Sequence, residues 1–338
     1  MSKIHAHIND TETPEAVRNL MQEFVKDFES RSSDVWIREV KNRDSEHHRK
    51  TLLKQGRCDF DKPTHGLTSE ELICLYNYYY FPMHFQSSYW LFEHFYNIGL
   101  AQHFINNCNP IFIDFGCGTL SSSIAFSAVR RKFEKNDIFR ESNYFFDTPT
   151  SFILFDISSK LVAEINKAIN YKYYGSLTDN AIWTYYDTFD TTAYAYSIKW
   201  SISNLINNKR RWLYSAENES FYYYTDLKHI EYSLILNFSY LFASISLNVN
   251  ELIKFINEII LKHNNNNIVV FFQNPDLDEL NTKWEEFKEK VPLSSIAKGV
   301  APIKHYGNSK VRYEVLFKSK FDDVFSDVEI FIKKQQPI

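Results

Sequence analysis

Apolar residues recur at three- and four-residue steps near the start of the chain, and in short unbroken runs further along. Val17, Leu20, Met21, Phe24 and Phe28 carry the first pattern, the signature of a helix with one buried face. Pro14 after Thr13 marks its start, with Thr13 as cap and Pro14 in the first helical position. Residues 10–60 as a whole read as helical and rich in both charges. A loop follows at Asp59, Asp61, Pro63 and Gly66. Ser69-Glu70-Glu71-Leu72 then opens a helix running into Tyr76–Tyr80. Phe81-Pro82 interrupts it, and an aromatic helix resumes over Gln86–Gly99. No internal repeat is visible.

From residue 110 the character changes. Apolar runs at Ile111–Phe115, Phe152–Asp156, Ile182–Asp187, Leu234–Phe238 and Ile268–Gln273 read as strands. Helical stretches over Ser121–Phe133, Ser159–Ile169 and Asn250–His263 fall between them. Such alternation means βαβ units and a parallel sheet covered on both faces. Near the end, Pro302–Tyr306, a turn at Gly307-Asn308-Ser309 and Val311–Lys318 read as a hairpin, so the sheet is expected to close with one reversed strand. The mixed aromatic and polar stretch 191–232 interrupts the alternation and reads as an insertion. The pattern divides the chain into a helical N-terminal extension (1–100) and an α/β domain (101–338).

Composition narrows the classes. Of 338 residues, 44% are hydrophobic and 17% aromatic, enough for a substantial core and against dominant disorder. A formal charge of −4 lacks the basic excess of a mainly electrostatic nucleic-acid binder. The start of the chain lacks the apolar core of a signal peptide, and no run nears the roughly 18 apolar residues of a membrane span. Cys58, Cys74, Cys108 and Cys117 form no CxxC pair. Neither a zinc site nor a disulfide framework is expected, and a cytoplasmic location is.

The segment that carries chemistry is Asp114-Phe115-Gly116-Cys117-Gly118, where the first expected strand turns into a helix near Ser121. Glycines at such a bend let a ligand approach the backbone, and the helix start offers unpaired N–H donors. Dinucleotides and S-adenosylmethionine both use bends of this kind. The dinucleotide fingerprint needs a third glycine where Ser121 stands, and a ribose acid about 20 residues on. The next strand-end acid, Asp156, lies much further along. Asp114 would also repel a pyrophosphate, whereas it suits a cationic sulfonium.

On these residues the chain resembles the class I S-adenosylmethionine-dependent methyltransferases, over about residues 70–320. The resemblance implies a Rossmann-like, mostly parallel seven-stranded sheet in the order 3-2-1-4-5-7-6, with helices on both faces, behind the N-terminal extension. Asp114, Phe115, Gly116, Cys117 and Gly118 look like the family's first motif, although Leu120 stands where the fullest pattern has a last glycine. Asp156 and Ile157 look like the second motif, whose acid accepts both ribose hydroxyls. Asp187 is similar to the position that meets the adenine amino group. Asn237 and Tyr240 resemble the fourth motif, which lines the methyl-transfer site. The aromatic stretch before the first strand holds Tyr80, His84, Gln86 and Tyr89, and in many relatives such a segment closes over the cofactor. Read this way, Asn237, Tyr240 and His84 are the catalytic candidates, and Tyr80 and Gln86 join the cofactor-binding set. Each has a structural alternative: Asp156 or Asp187 as a helix cap, Asn237 and Tyr240 as packing or capping residues, the aromatic stretch as core.

The acceptor is open. No Asn-Pro-Pro-Tyr or Pro-Cys motif follows the fourth expected strand, which disfavours adenine-N6 and cytosine-C5 chemistry. Acidic charge and aromatic richness favour a small aromatic molecule or a protein side chain, with RNA close behind. The basic clusters His47–Lys50 with Lys54 and Arg57, and Lys209–Arg211, read as solvated helix faces or, with RNA, as phosphate contacts. A second reading is an inactive methyltransferase fold serving as a binding or assembly subunit of a larger complex, and a third is a nicotinamide oxidoreductase.

Overall fold

The computed structural model describes residues 8–97, 109–135, 150–169, 182–186, 195–197, 199–200, 203, 232–264, 266–304, 306 and 309–318. Asp187, Lys209–Arg211, most of the expected insertion and the turn at Gly307-Asn308 lie outside them.

Seven strands form one sheet: β1 Asn109–Phe115, β2 Ser151–Phe155, β3 Ile182–Tyr186, β4 Tyr232–Ser239, β5 Asn267–Pro275, β6 Ser294–Pro302 and β7 Lys310–Lys318. They lie in the order β3-β2-β1-β4-β5-β7-β6. Strands β1 to β5 pair in parallel, and β7 runs antiparallel to both β5 and β6. The longer helices are α1 Glu15–Ser30, α2 Ser69–Tyr79, α3 Phe81–Asn97, α4 Ser121–Lys135, α5 Ser159–Ile169, α6 Val249–Lys262 and α7 Asp278–Lys290.

Side chains alternate across a pleated strand, and here the alternation sorts the core into two layers. Ile111, Ile113 and Phe115 of β1, with Leu234, Leu236 and Phe238 of β4, pack against Ile256 of α6 and Trp284 of α7. Their neighbours Phe112, Ile235, Val269 and Phe271 face the other way, onto Phe92 of α3 and Phe126 of α4. Val17, Trp36 and Leu75 from the N-terminal part belong to that same second cluster. Both faces being covered explains why the central strands read as unbroken apolar runs.

Several boundaries differ from the sequence reading. Helix α1 has Pro14, not Thr13, as its N-cap, and the Thr13 hydroxyl instead donates to Asp10 Oδ2 at 3.4 Å. Beyond Ser30 the expected long helix gives way to short helical turns between Asp34 and Gly56. Helix α3 starts at Phe81 rather than Gln86, because a proline in a first turn lacks only an N–H that would be unpaired anyway. Strand β6 ends at Pro302 instead of starting there. Its sequence, SSIAKGVAP, is mostly small and polar because it forms the half-exposed sheet edge. His48 also departs from a solvated face: it is buried, with Nδ1 2.8 Å from the Tyr79 hydroxyl. Among the described residues no helix is long and apolar enough to cross a membrane, and no group of three His, Cys, Asp or Glu is placed to hold a metal.

Candidate functional site

In this strand order β1 and β4 are neighbours whose chain connections leave in opposite directions across the sheet. Ligands of open α/β sheets bind at the carboxyl ends of strands beside such a switch point. The bend after β1 sits there. Gly116 and Gly118 adopt φ of +68° and +52°, in the left-handed region that glycine occupies without strain. Leu120, also left-handed at φ +66°, is fully buried.

The donors of the bend are already committed. The N–H groups of Gly116 and Cys117 both donate to the Phe155 carbonyl, at 2.8 and 2.9 Å. Gly118 N–H donates to Asp156 Oδ2 at 3.0 Å, and Ser158 N–H to Asp156 Oδ1 at 2.9 Å. The cap of α5 is Ser158, whose hydroxyl accepts from Leu161 N–H at 3.1 Å, so Asp156 itself is not that cap. A Cβ on Gly116 would lie 2.9 Å from Leu241 Cδ1. At Gly118 it would meet nothing nearer than the Gly116 carbonyl at 3.9 Å, so the second glycine faces open space.

Asp114 lies beneath the bend, 1% exposed. Its two oxygens accept from Asn237 Nδ2 and from the Ser123 hydroxyl, each at 2.7 Å. Burial pushes its carboxyl up to about 6, against the lowering effect of those two bonds. The Asp156 carboxyl is raised too, by desolvation first, and the nearby Asp61 charge adds to it. Among the described residues neither acid has an ion-pair partner. Two desolvated carboxylates without a cation make a negative well, which favours a positively charged ligand. Beside them Ile157 is 73% exposed.

The remaining expected residues divide. Phe115 is core, stacked on Phe155 at 4.9 Å and on Phe238 at 4.8 Å. Cys117 is buried and its thiol is pushed far up by desolvation, so it is an inert packing group. Asn237 is fully buried and acts inside a network: its Oδ1 accepts from the Ser239 hydroxyl at 3.0 Å. Gln273 extends that network from β5. Its Nε2 donates to Ser239 at 2.7 Å and to Ser88 of α3, and its backbone carbonyl accepts from Tyr240 N–H at 2.8 Å.

Tyr240 and His84 come together. Their rings stack at 3.8 Å and 19°, and the Tyr240 hydroxyl lies 2.9 Å from Ser87 Oγ. Tyr240 takes a left-handed φ of +62°, uncommon for a bulky residue. Burial lowers His84 to about 3, leaving the ring neutral. Tyr76 joins the two halves: its hydroxyl is 3.4 Å from His84 Nδ1, and both Asp156 and Tyr240 bear on it electrostatically. Tyr80 stacks on Tyr76 at 5.2 Å, half-buried, its hydroxyl raised to about 12 by desolvation. Tyr89 is buried in the second core layer against Phe85. Gln86 turns away, donating to Asp10 Oδ2 at 3.1 Å, and no described contact joins it to the bend.

Tyr76, Ser123, Gln273 and Asp61 belong to this region and were not singled out for it from sequence. Ser123 had a usable signal, its place in the first turn of the helix after the glycines. Asp61 and Gln273 had none, since their partners lie far away along the chain.

No family model matches the chain, and no curated protein does. Among solved structures, it is similar to the magnesium protoporphyrin IX methyltransferase of Synechocystis PCC 6803 with bound SAH, at 14% identity and TM-score 0.33, covering 70% of this chain and 84% of that one. It is also similar to a Clostridium thermocellum protein assigned as an rRNA methylase, at 11% identity and TM-score 0.31, covering 66% and 96%. At such identities and scores neither speaks to the chemistry of this chain.

Proposed function

We propose that this chain is an S-adenosylmethionine-dependent methyltransferase of the class I fold, its sheet being the seven-stranded Rossmann-like sheet of that class. The observation that carries the reading is the state of the Gly116–Gly118 bend. Its N–H groups are spent on Phe155 and Asp156, so a pyrophosphate would find a carboxylate where it needs donors. A cation finds the opposite, two acids raised by desolvation at a switch point, with no ion-pair partner among the described residues.

The residues present fit that cofactor. Asp156 retains acceptor capacity on both oxygens for ribose hydroxyls, and exposed Ile157 beside it offers an apolar seat for adenine. Gly118, with open space over its Cα, lets the ligand lie against the backbone. Asp114 supplies negative potential from below, held in place by Asn237 and Ser123. By the family resemblance alone, Asp187 is the residue proposed to meet the adenine amino group. When bound, S-adenosylmethionine supplies an electrophilic methyl group on sulfur.

On the acceptor side the chain provides orientation. Tyr240, pinned through its N–H by Gln273 and through its hydroxyl by Ser87, forms with His84 a rigid aromatic wall that suits a flat acceptor. The neutral His84 ring accepts a hydrogen bond from an acceptor O–H or N–H at a ring nitrogen. Asn237 serves as a positioning residue, through Asp114. A small aromatic molecule or an aromatic or amide-bearing protein side chain fits this wall better than RNA, given the net negative charge. Transfer of labelled methyl from S-adenosylmethionine in cell extract, treated separately with nuclease and protease, tests the reading and names the acceptor class. Absence of label in every fraction contradicts turnover.

A further inference from the structure

Asp61 belongs to the N-terminal extension, in the turn between Cys58 and Gly66, yet its carboxylate bonds to the α/β domain. Its carboxylate accepts from the Ser158 hydroxyl at 3.2 Å, from Ser159 N–H at 3.2 Å, from the Ser159 hydroxyl at 3.2 Å and from Lys160 N–H at 2.9 Å. These are the free donors at the start of α5, an 11-residue helix, where a carboxylate is favoured by unpaired N–H groups and by the helix dipole. Ser158 is shared between two acids: its N–H goes to Asp156 Oδ1 and its hydroxyl to Asp61 Oδ1. Asp61 therefore fixes the far side of the 156–160 turn while Asp156 fixes the near side, and Ile157 projects from between the two anchors, 73% exposed.

We propose that Asp61 is a positioning residue of the nucleoside site: by clamping Ser158, Ser159 and Lys160 it sets the direction of Asp156 and Ile157, so that docking of the 59–63 loop and binding of the adenosine end of the cofactor are coupled. The proposal rests on the S-adenosylmethionine reading. The coupling is reciprocal: whatever the docked loop adds to affinity, bound ligand adds to docking of the loop. Asp59 supports the arrangement locally, its Oδ1 accepting from the N–H groups of Asp61 and Lys62 at 2.9 and 3.2 Å.

The test uses the full chain and S-adenosylhomocysteine as probe, which shares the adenosine end. Asp61→Ala is expected to weaken binding by about five- to tenfold, the scale of a lost cap. Asp61→Asn, which keeps an acceptor oxygen, is expected to recover most of that. Asp44→Ala is the stability control, since Asp44 caps only a short helical turn through His47 N–H at 2.8 Å. It is expected to lower the melting temperature without moving affinity. Hydrogen exchange at the amides of Ser159 and Lys160 should quicken in Asp61→Ala even without ligand, and ligand should protect residues 59–63 in the unaltered chain only. Unchanged affinity in Asp61→Ala, or a loss equal to that of Asp44→Ala, overturns the positioning role. Failure of the unaltered chain to bind at all overturns the cofactor reading, and the inference with it, and is distinguished by arising before any substitution.

Discussion

Asn237 of β4 donates its side-chain amide to Asp114 of β1 at 2.7 Å, across a parallel register in which the two residues are direct partners. The bond sits where the two strands end, and it holds a buried carboxylate still beneath the glycine bend. Asn237→Asp should place two carboxylates in one desolvated position, where both cannot ionise. Urea unfolding is expected to show a modest loss of stability at pH 5 and a loss of about 3 kcal/mol or more at pH 8, the scale of an uncompensated buried charge. Equal losses at both pH values would mean that the site is wetter than its burial implies.

The two glycines of the bend should fail differently when given a methyl group. Gly116→Ala drives a Cβ to 2.9 Å from Leu241 Cδ1 at a φ of +68°, so it should cost fold stability, about 1–3 kcal/mol from strain and displacement. Gly118→Ala has room for the Cβ and should lose only about 1 kcal/mol for its left-handed backbone. Its methyl projects into the space reserved for ligand, however, so its affinity for S-adenosylmethionine should fall at least tenfold. Melting temperature and titration calorimetry on both variants separate the two outcomes.

Protonation of Asp114 should be visible in binding. Its carboxyl is raised to about 6 in the folded chain, so the negative well weakens as pH drops through 6. A bound cation holds the carboxylate charged, and affinity for the cationic cofactor must therefore fall with acid below that point. S-adenosylhomocysteine, whose sulfur is neutral, should fall less. Calorimetric titrations of both ligands between pH 5 and 8 are expected to diverge on the acid side; parallel curves would remove Asp114 from the account.

His84 bears on stability rather than on binding. Its folded value of about 3 lies below its ordinary 6.5 because burial penalises the charged ring. The unfolded chain therefore takes up a proton that the folded chain refuses, and stability falls as pH drops from 6.5 towards 3. Half-buried His263, lowered to about 4 by desolvation, contributes in the same window. His84→Phe keeps a ring against Tyr240 and cannot titrate. Its stability should fall less between pH 7 and pH 5 than that of the unaltered chain, measured by urea unfolding.

The mixed α/β sheet was legible because β1, β2, β4 and β5 are covered on both faces and so appear as unbroken apolar runs. The glycine bend and the two strand-end acids could be read because backbone conformation and charge at a strand end are local properties. What escaped was set by distance or by small residues. Edge strand β6 carries too few large apolar groups to stand out. Helix α7 buries only Asn281, Trp284 and Phe287 in an otherwise charged segment, so its pattern is faint. The links from Gln273 to Ser88 and from Asp61 to Ser158 join residues 185 and 97 positions apart, and no periodicity announces such a pair. Gln86, expected at the cofactor, instead meets Asp10.

Calorimetric titration of the full chain with S-adenosylmethionine, alone and in the presence of S-adenosylhomocysteine, reaches the central claim most directly. A saturable heat is expected, abolished by the competitor and weakened at least tenfold in Asp156→Asn. A chain that gives no heat with either compound, or binds reduced nicotinamide dinucleotide instead, would contradict the account.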